Sequence, residues 1–139
     1  MPDRKTLLIV DDIPLMRTIL SKYLKSLVTR VFAAERGAAG VQIVEASNGK
    51  QALQKLAQED VDLIFLDLMM PEMDGLTFLA KVKEDAKLNT IPVIVCSALG
   101  EKDTVERARA LGAVSYILKP FTLKTVEEKV REALPVLQS

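Results

Sequence analysis

Short apolar runs alternate along this chain with longer stretches whose apolar residues recur every three or four positions. Thr6–Val10 reads as a buried strand. Pro14 then stands where a helix can begin, because proline tolerates the first helical position. Met16, Ile19, Leu20, Tyr23, Leu24, Leu27 and Val28 follow at helical spacing. The periodicity runs on through Val31 and Phe32, so the spacing predicts a helix to about Glu35, with Gly37 and Gly40 bracketing a break. Val41–Glu45 is a second strand and Asn48-Gly49 a turn. Lys50–Gln58 is helical, with Ala52, Leu53, Leu56 and Ala57 on one face. Asp62–Leu66 is a third strand, and Leu76, Phe78, Leu79 and Val82 give the next helix its buried face. Ile91–Cys96 and Val114–Leu118 are the last strands. Between them Glu101–Leu111 is a helix with a thin stripe of Val105, Ala108 and Leu111, and Gly112 is placed to cap its end. Thr122 can cap a final helix whose inward residues are Leu123, Val126, Val130, Ala133 and Leu134, with Pro135 ending it.

Strand and helix thus alternate throughout. Strands that are apolar at every position are buried on both faces, which implies an α/β fold with a parallel sheet between helices. The length, 139 residues, suits one domain spanning 1–139. There is no internal repeat, low-complexity segment or linker, and the tail PVLQS is too short for a further domain.

Charge narrows the function. Lys+Arg and Asp+Glu both count 19, so the net charge is zero. That argues against direct nucleic-acid binding, which draws on a basic excess. No apolar run approaches the about 20 residues that span a bilayer, so membrane insertion is not expected. The N-terminus lacks a signal-peptide pattern and reads as an intact cytosolic start, giving a cytoplasmic expectation. The single cysteine, Cys96, lies in IPVIVCSA and reads as a small core residue. Histidine is absent. That removes Ser-His-Asp triads, Cys-His nucleophiles and His-ligated zinc. Carboxylates, lysine, hydroxyls and backbone are left to carry any chemistry.

In an open parallel sheet, sites form beyond the carboxyl ends of the strands. Asp11 and Asp12 follow the first strand, Asp67 the third, Ser97 the fourth, and Lys119-Pro120 the fifth. Ala46 and Ser47, after the second, look less chemical. Two like charges roughly 4 Å apart repel by about 4 kcal/mol at an effective dielectric of about 20. Three neighbouring aspartates hold three such pairs, and a divalent cation relieves them. Oxygen donors without His or Cys suit magnesium, which takes one or two carboxylates and keeps several waters. Such a site is half built and awaits a phosphate-bearing partner. Lys119 beside carboxylates stays protonated and is a poor nucleophile. Ser97 has no histidine to activate it. An aspartate can accept a phosphoryl group as an acyl phosphate, with Lys119 and the Ser97 hydroxyl meeting its oxygens.

The Asp11-Asp12 pair, the block DLMMPEMDG from Asp67 to Gly75, Ser97-Ala98 and Lys119-Pro120 together resemble the receiver domain of two-component response regulators. The resemblance covers essentially the whole chain and is to the stand-alone, chemotaxis-regulator-like type. It implies a flavodoxin-like doubly wound (βα)5 sandwich with strand order 2-1-3-4-5. It implies that Asp67 is the phosphoacceptor and that Asp12, Asp67 and the backbone carbonyl of Met69 bind Mg2+, with Asp11 acting largely through water. Ser97 would be the switch hydroxyl, Lys119 the phosphate-contacting lysine, and Tyr116 the aromatic that changes rotamer. The Lys119-Pro120 bond is expected to be cis, which proline makes affordable.

The implied partners are a histidine kinase or histidine phosphotransfer protein upstream. Downstream, a protein target would meet the face of the fourth helix, fifth strand and fifth helix. The implied role is a signalling switch that assists its own phosphoryl transfer and dephosphorylation, not an enzyme with a turned-over substrate. Ser97 departs from the commoner threonine but keeps the hydroxyl. Thr29–Gly40 is about ten residues longer than the usual connection, as an extended first helix, a partner surface or a tolerated insertion. No output domain follows in this sequence.

Other readings stand beside this one. Asp11-Asp12 can simply cap the first helix, where negative charge is favoured. Asp67 paired inertly with Lys119 would make a phosphorylation-independent interaction module. An aspartate-nucleophile phosphohydrolase would carry a second acid two residues after the nucleophile, where Met69 stands. Met69 and Leu99 occupy the positions that flank the path of attacking water in receivers, and neither can orient it. Slow self-dephosphorylation is therefore expected.

Overall fold

The structure, a computed structural model, describes residues 5–36, 41–71 and 73–133, with the backbone alone over 28–36. The strands are β1 (Lys5–Val10), β2 (Val41–Ala46), β3 (Leu63–Leu66), β4 (Val93–Ser97) and β5 (Ser115–Leu118). The helices are α1 (Pro14–Arg36), α2 (Gly49–Gln58), α3 (Gly75–Glu84), α4 (Lys102–Ala110) and α5 (Leu123–Ala133). All strand pairs are parallel and the order is β2-β1-β3-β4-β5, the flavodoxin-like doubly wound arrangement.

Successive side chains of a strand point to opposite faces. Leu7, Ile9, Leu63, Phe65, Ile94, Cys96 and Ile117 therefore meet α1 and α5 through Leu20, Leu24, Leu27, Val126 and Val130. Leu8, Val10, Ile64, Leu66, Val93 and Val95 meet the other layer through Ala52, Leu56, Phe78, Leu79, Val82 and Ala108. Each fully buried Val, Leu, Ile or Phe among them contributes about 1.5–3 kcal/mol. This two-sided burial is why the inner strands β3 and β4 are buried at every position, while the edge strand β2 carries Gln42 and Glu45.

Helix starts are fixed by short polar side chains. Asn48 Oδ1 accepts the Gln51 N–H at 2.8 Å, Asp74 Oδ1 the Thr77 N–H at 2.9 Å, and Thr122 Oγ1 the Thr125 N–H at 3.1 Å. Gly112 ends α4 at φ +105, a conformation that a side chain disfavours.

Some expectations shift. β4 begins at Val93, not Ile91, because Pro92 has no N–H to give a ladder and the Ile91 N–H turns back to Leu88 O at 3.0 Å. β2 extends to Ala46, whose carbonyl accepts the Asp11 N–H at 3.1 Å. Leu123 is exposed as the first residue of α5, so the inward face of that helix starts at Val126. Leu134, Pro135, Gly37 and Gly40 lie outside the described residues. The first helix takes up most of the long 29–40 segment, running to Arg36. At 1.5 Å per residue it is about 34 Å long against about 20 Å for a six-residue strand, so it overruns the sheet. Among the described residues no helix is long and apolar enough to cross a membrane.

Candidate functional site

Because the strands are parallel, their carboxyl ends share one edge. β1 delivers Asp11, which is buried at 5% exposure, and Asp12, which is exposed. β3 delivers Asp67 at 4% exposure. One carboxylate oxygen from each of Asp11, Asp12 and Asp67 lies within 4.8 Å of the others. From the end of β5, Lys119 Nζ reaches Asp11 Oδ2 at 2.7 Å and Asp67 Oδ2 at 3.2 Å. The Lys119-Pro120 bond is cis, as expected.

The two buried carboxylates are held on their other oxygens as well. Asp11 Oδ1 accepts the Ile13 N–H at 2.9 Å and Asp67 Oδ1 accepts the Met69 N–H at 3.2 Å. Asp12 has no hydrogen bond or ion pair among the described residues and is left free to meet a ligand. Burial pushes the Asp67 carboxyl above its ordinary pKa, opposed by the Met69 N–H and by Lys119, while the Asp11 charge adds to the rise. Burial alone would lower the Lys119 ammonium, but its hydrogen bond to Asp11 and the charges of Asp67 and Asp11 outweigh that and raise it. Lys119 is therefore a fixed cation and not a nucleophile.

Ser97 is completely buried at the end of β4, beside β3 in a register that pairs Leu66 with Val95. Its Oγ accepts the Leu99 N–H at 3.2 Å. The Tyr116 hydroxyl donates to the carbonyl of that same Leu99. Burial raises the Tyr116 hydroxyl above its ordinary pKa, opposed by a hydrogen bond with the Ser97 side chain. Leu99 thus joins the two residues through both of its backbone groups. Met69 is 54% exposed, and Ile13 is also exposed beside the acid pair.

Local chemistry explains the loop after Asp67. The Gly75 N–H closes it by donating to Leu68 O at 3.0 Å. A Cβ on Gly75 would lie 2.5 Å from Leu68 Cα and 2.6 Å from Asp67 O. Only glycine lets α3 come so close to the strand end that carries Asp67.

The sequence reading missed Arg17 and Glu45. Arg17 Nη1 donates to the Asp11 carbonyl at 2.7 Å, and its Nε to Glu45 Oε1 at 3.0 Å. One signal was available: Arg17 lies among the inward positions Met16 and Leu20, where a cation requires an anionic partner.

The donor set is all oxygen, clustered, partly exposed and already faced by a cation. It fits magnesium, which favours carboxylates and keeps waters. A family model for the response regulator receiver domain matches residues 7–131. The chain is 36% identical over 130 residues to the chemotaxis protein CheY of Bacillus subtilis, covering 92% of this chain and 96% of that protein. It is 39% identical over 127 residues to the chemotaxis protein CheY of Listeria monocytogenes, covering 91% and 96%. Among solved structures, it is similar to the signal receiver domain of a DNA binding response regulator from Colwellia psychrerythraea. The TM-score is 0.81 at 26% identity, covering 94% of this chain and 98% of that one.

Proposed function

This chain belongs to the response regulator receiver domain family of two-component signalling, and from that premise we propose that Asp67 accepts a phosphoryl group from a phosphohistidine. The donor is a histidine kinase or histidine phosphotransfer protein, since this chain has no histidine of its own. The observation that carries the reading is the Lys119 ammonium bridging two buried carboxylates, Asp67 and Asp11, beside an unpartnered Asp12. That arrangement puts a cation beside the phosphoacceptor for incoming phosphoryl oxygens and leaves one carboxylate, Asp12, free for a metal.

In the transfer, an Asp67 carboxylate oxygen forms a bond to phosphorus as the donor's P–N bond breaks. The imidazole nitrogen leaves with the electron pair. Asp12, Asp67 and the Met69 carbonyl would hold magnesium, with Asp11 acting through water, and the ion would supply positive charge against the phosphoryl oxygens. Lys119 turns from the carboxylates to one of those oxygens, a charge-assisted hydrogen bond. The Ser97 hydroxyl meets another.

The acyl phosphate carries about −1.5 to −2 by analogy with other phosphorylated side chains, and because it replaces the carboxylate's own charge the net gain is about −0.5 to −1. When Ser97 Oγ is drawn toward it, the Leu99 N–H loses its acceptor. The Leu99 carbonyl, which holds the Tyr116 hydroxyl, moves with it. The affected surface is the face of α4, β5 and α5, where Val114, Leu118 and Leu123 are exposed and suit a protein target. We place the switch in the cytoplasm, as a single receiver domain over 1–139 with no direct role for nucleic acid or membrane.

The test adds Mg2+ and a small acyl phosphate donor, or beryllofluoride. Wild type should gain hydroxylamine-labile phosphate and Asp67→Asn should not. Equal uptake by both proteins would sink the proposal. A pull-down that captures the same partner from wild type and Asp67→Ala, without Mg2+ or beryllofluoride, would favour the phosphorylation-independent module instead.

A further inference from the structure

Asp11 is held at every polar atom. Its N–H donates to Ala46 O at 3.1 Å, Oδ1 accepts from Ile13, Oδ2 from Lys119, and its carbonyl from Arg17 Nη1 at 2.7 Å. Asp12 is the opposite case, exposed and without a hydrogen bond or ion pair among the described residues. Yet the Asp11 carbonyl and the Asp12 N–H are two ends of one planar peptide unit. A guanidinium that fixes the carbonyl fixes the tilt of that plane, and so the direction in which Asp12 leaves the backbone.

Arg17 does this from the first turns of α1 with a side chain only 17% exposed, while Glu45 on β2 is 43% exposed. The fork uses different nitrogens for its two acceptors, Nη1 for the Asp11 carbonyl and Nε for Glu45 Oε1. A lysine has no such fork. A free guanidinium so near three carboxylates would also repel a cation, and Glu45 cancels that charge.

We propose that Arg17 is a positioning residue that aims Asp12 at the divalent cation, and that Glu45 orients and neutralises Arg17. The inference rests on reading the carboxylate cluster as a magnesium site. It makes the cation site depend on a β1–α1–β2 clamp that touches neither metal nor phosphate.

The experiment titrates the full chain with Mn2+, following free ion by electron paramagnetic resonance, with Mg2+ as competitor. Melting in EDTA is run in parallel. Arg17→Met should raise the Mn2+ Kd about tenfold, at the low end for groups that orient a metal ligand. Arg17→Lys should fall between it and wild type. Glu45→Gln should weaken binding at low salt, with the loss shrinking as salt screens the exposed charge. The Arg17→Met loss should persist in salt. Should Arg17→Met fail to fold in EDTA, Arg17→Lys and Glu45→Gln decide the matter.

Folded Arg17 variants with wild-type Kd, or lowered melting temperature in EDTA with unchanged Kd, would overturn the clamp. The site reading would survive either result, because wild type would still bind Mn2+ and take up phosphate on Asp67. Wild type that binds no Mn2+ and gains no phosphate would overturn both.

Discussion

Cys96 stands one residue before Ser97, and burial pushes its thiol up to about 12. The folded state therefore keeps the proton while the unfolded chain loses it from about pH 9 upward. Below that pH both states are protonated and the group contributes no pH dependence. Above it the unfolded state binds fewer protons, so stability falls with rising pH, with a slope approaching about 1.4 kcal/mol per unit. Urea melts at pH 8 and pH 10 should show a smaller drop for Cys96→Ala than for wild type; parallel drops would count against it. Met69 and Leu99 carry a second residue-scale prediction, under the proposed function. Neither can orient water, so Met69→Asn or Leu99→Glu should shorten the phosphoryl lifetime severalfold, followed by decay of labelled phosphate; unchanged decay in both would refute it. The charged residues of the cluster were legible because a carboxylate or ammonium directly after an apolar strand is conspicuous. Arg17 was not, since it is one of 19 Lys and Arg residues and its partner Glu45 lies 28 positions away. Only the β1–β2 pairing brings Glu45 alongside.

At the scale of elements, every strand and helix was readable because two-sided burial leaves continuous apolar runs and the helices keep a one-sided stripe. Boundaries were less so. Apolar residues continue past the point where backbone pairing stops, as at Ile91 before Pro92. Hydrophobicity reports burial, while a ladder also needs a donor at each step. The loop from Asp67 to Gly75 shows the same limit. The sequence offers Asp74-Gly75 as a turn, but the demand on Gly75 is space against Leu68 Cα at 2.5 Å and Asp67 O at 2.6 Å. Both clashes are with backbone, which cannot rotate away. Gly75→Ala must therefore shift α3 or the Asp67 peptide, at a cost of about 1–3 kcal/mol. It should also slow phosphate uptake, because the displaced carbonyl belongs to the phosphoacceptor residue. Chemical melts and uptake kinetics test this together, and a variant that matches wild type in both would show the packing to be slack.

For the whole molecule, the carboxylate cluster couples ligand binding to folding. The three aspartates are gathered within 4.8 Å only when β1 and β3 are paired, so the unfolded chain has no comparable cation site. A ligand that binds only the folded state stabilises it by RT ln(1 + [L]/Kd). With Mg2+ at ten times its Kd that is about 1.4 kcal/mol. For a domain of this size the melting temperature should rise by about 4 °C. Asp12→Asn should lose most of the rise, because it removes the carboxylate with no other duty. The same substitution should leave the metal-free protein as stable as wild type or more so, since it removes one charge facing two like-charged neighbours and deletes no hydrogen bond. Asp67→Asn should lose the rise as well, whereas Thr122→Ala, which weakens the α5 cap and removes no carboxylate of the cluster, should lower both melting temperatures and keep their difference. Calorimetry in EDTA and in saturating Mg2+ measures all four proteins. An equal Mg2+ increment in Asp12→Asn and wild type would mean that the ion stabilises the fold from somewhere other than the β1–β3 edge.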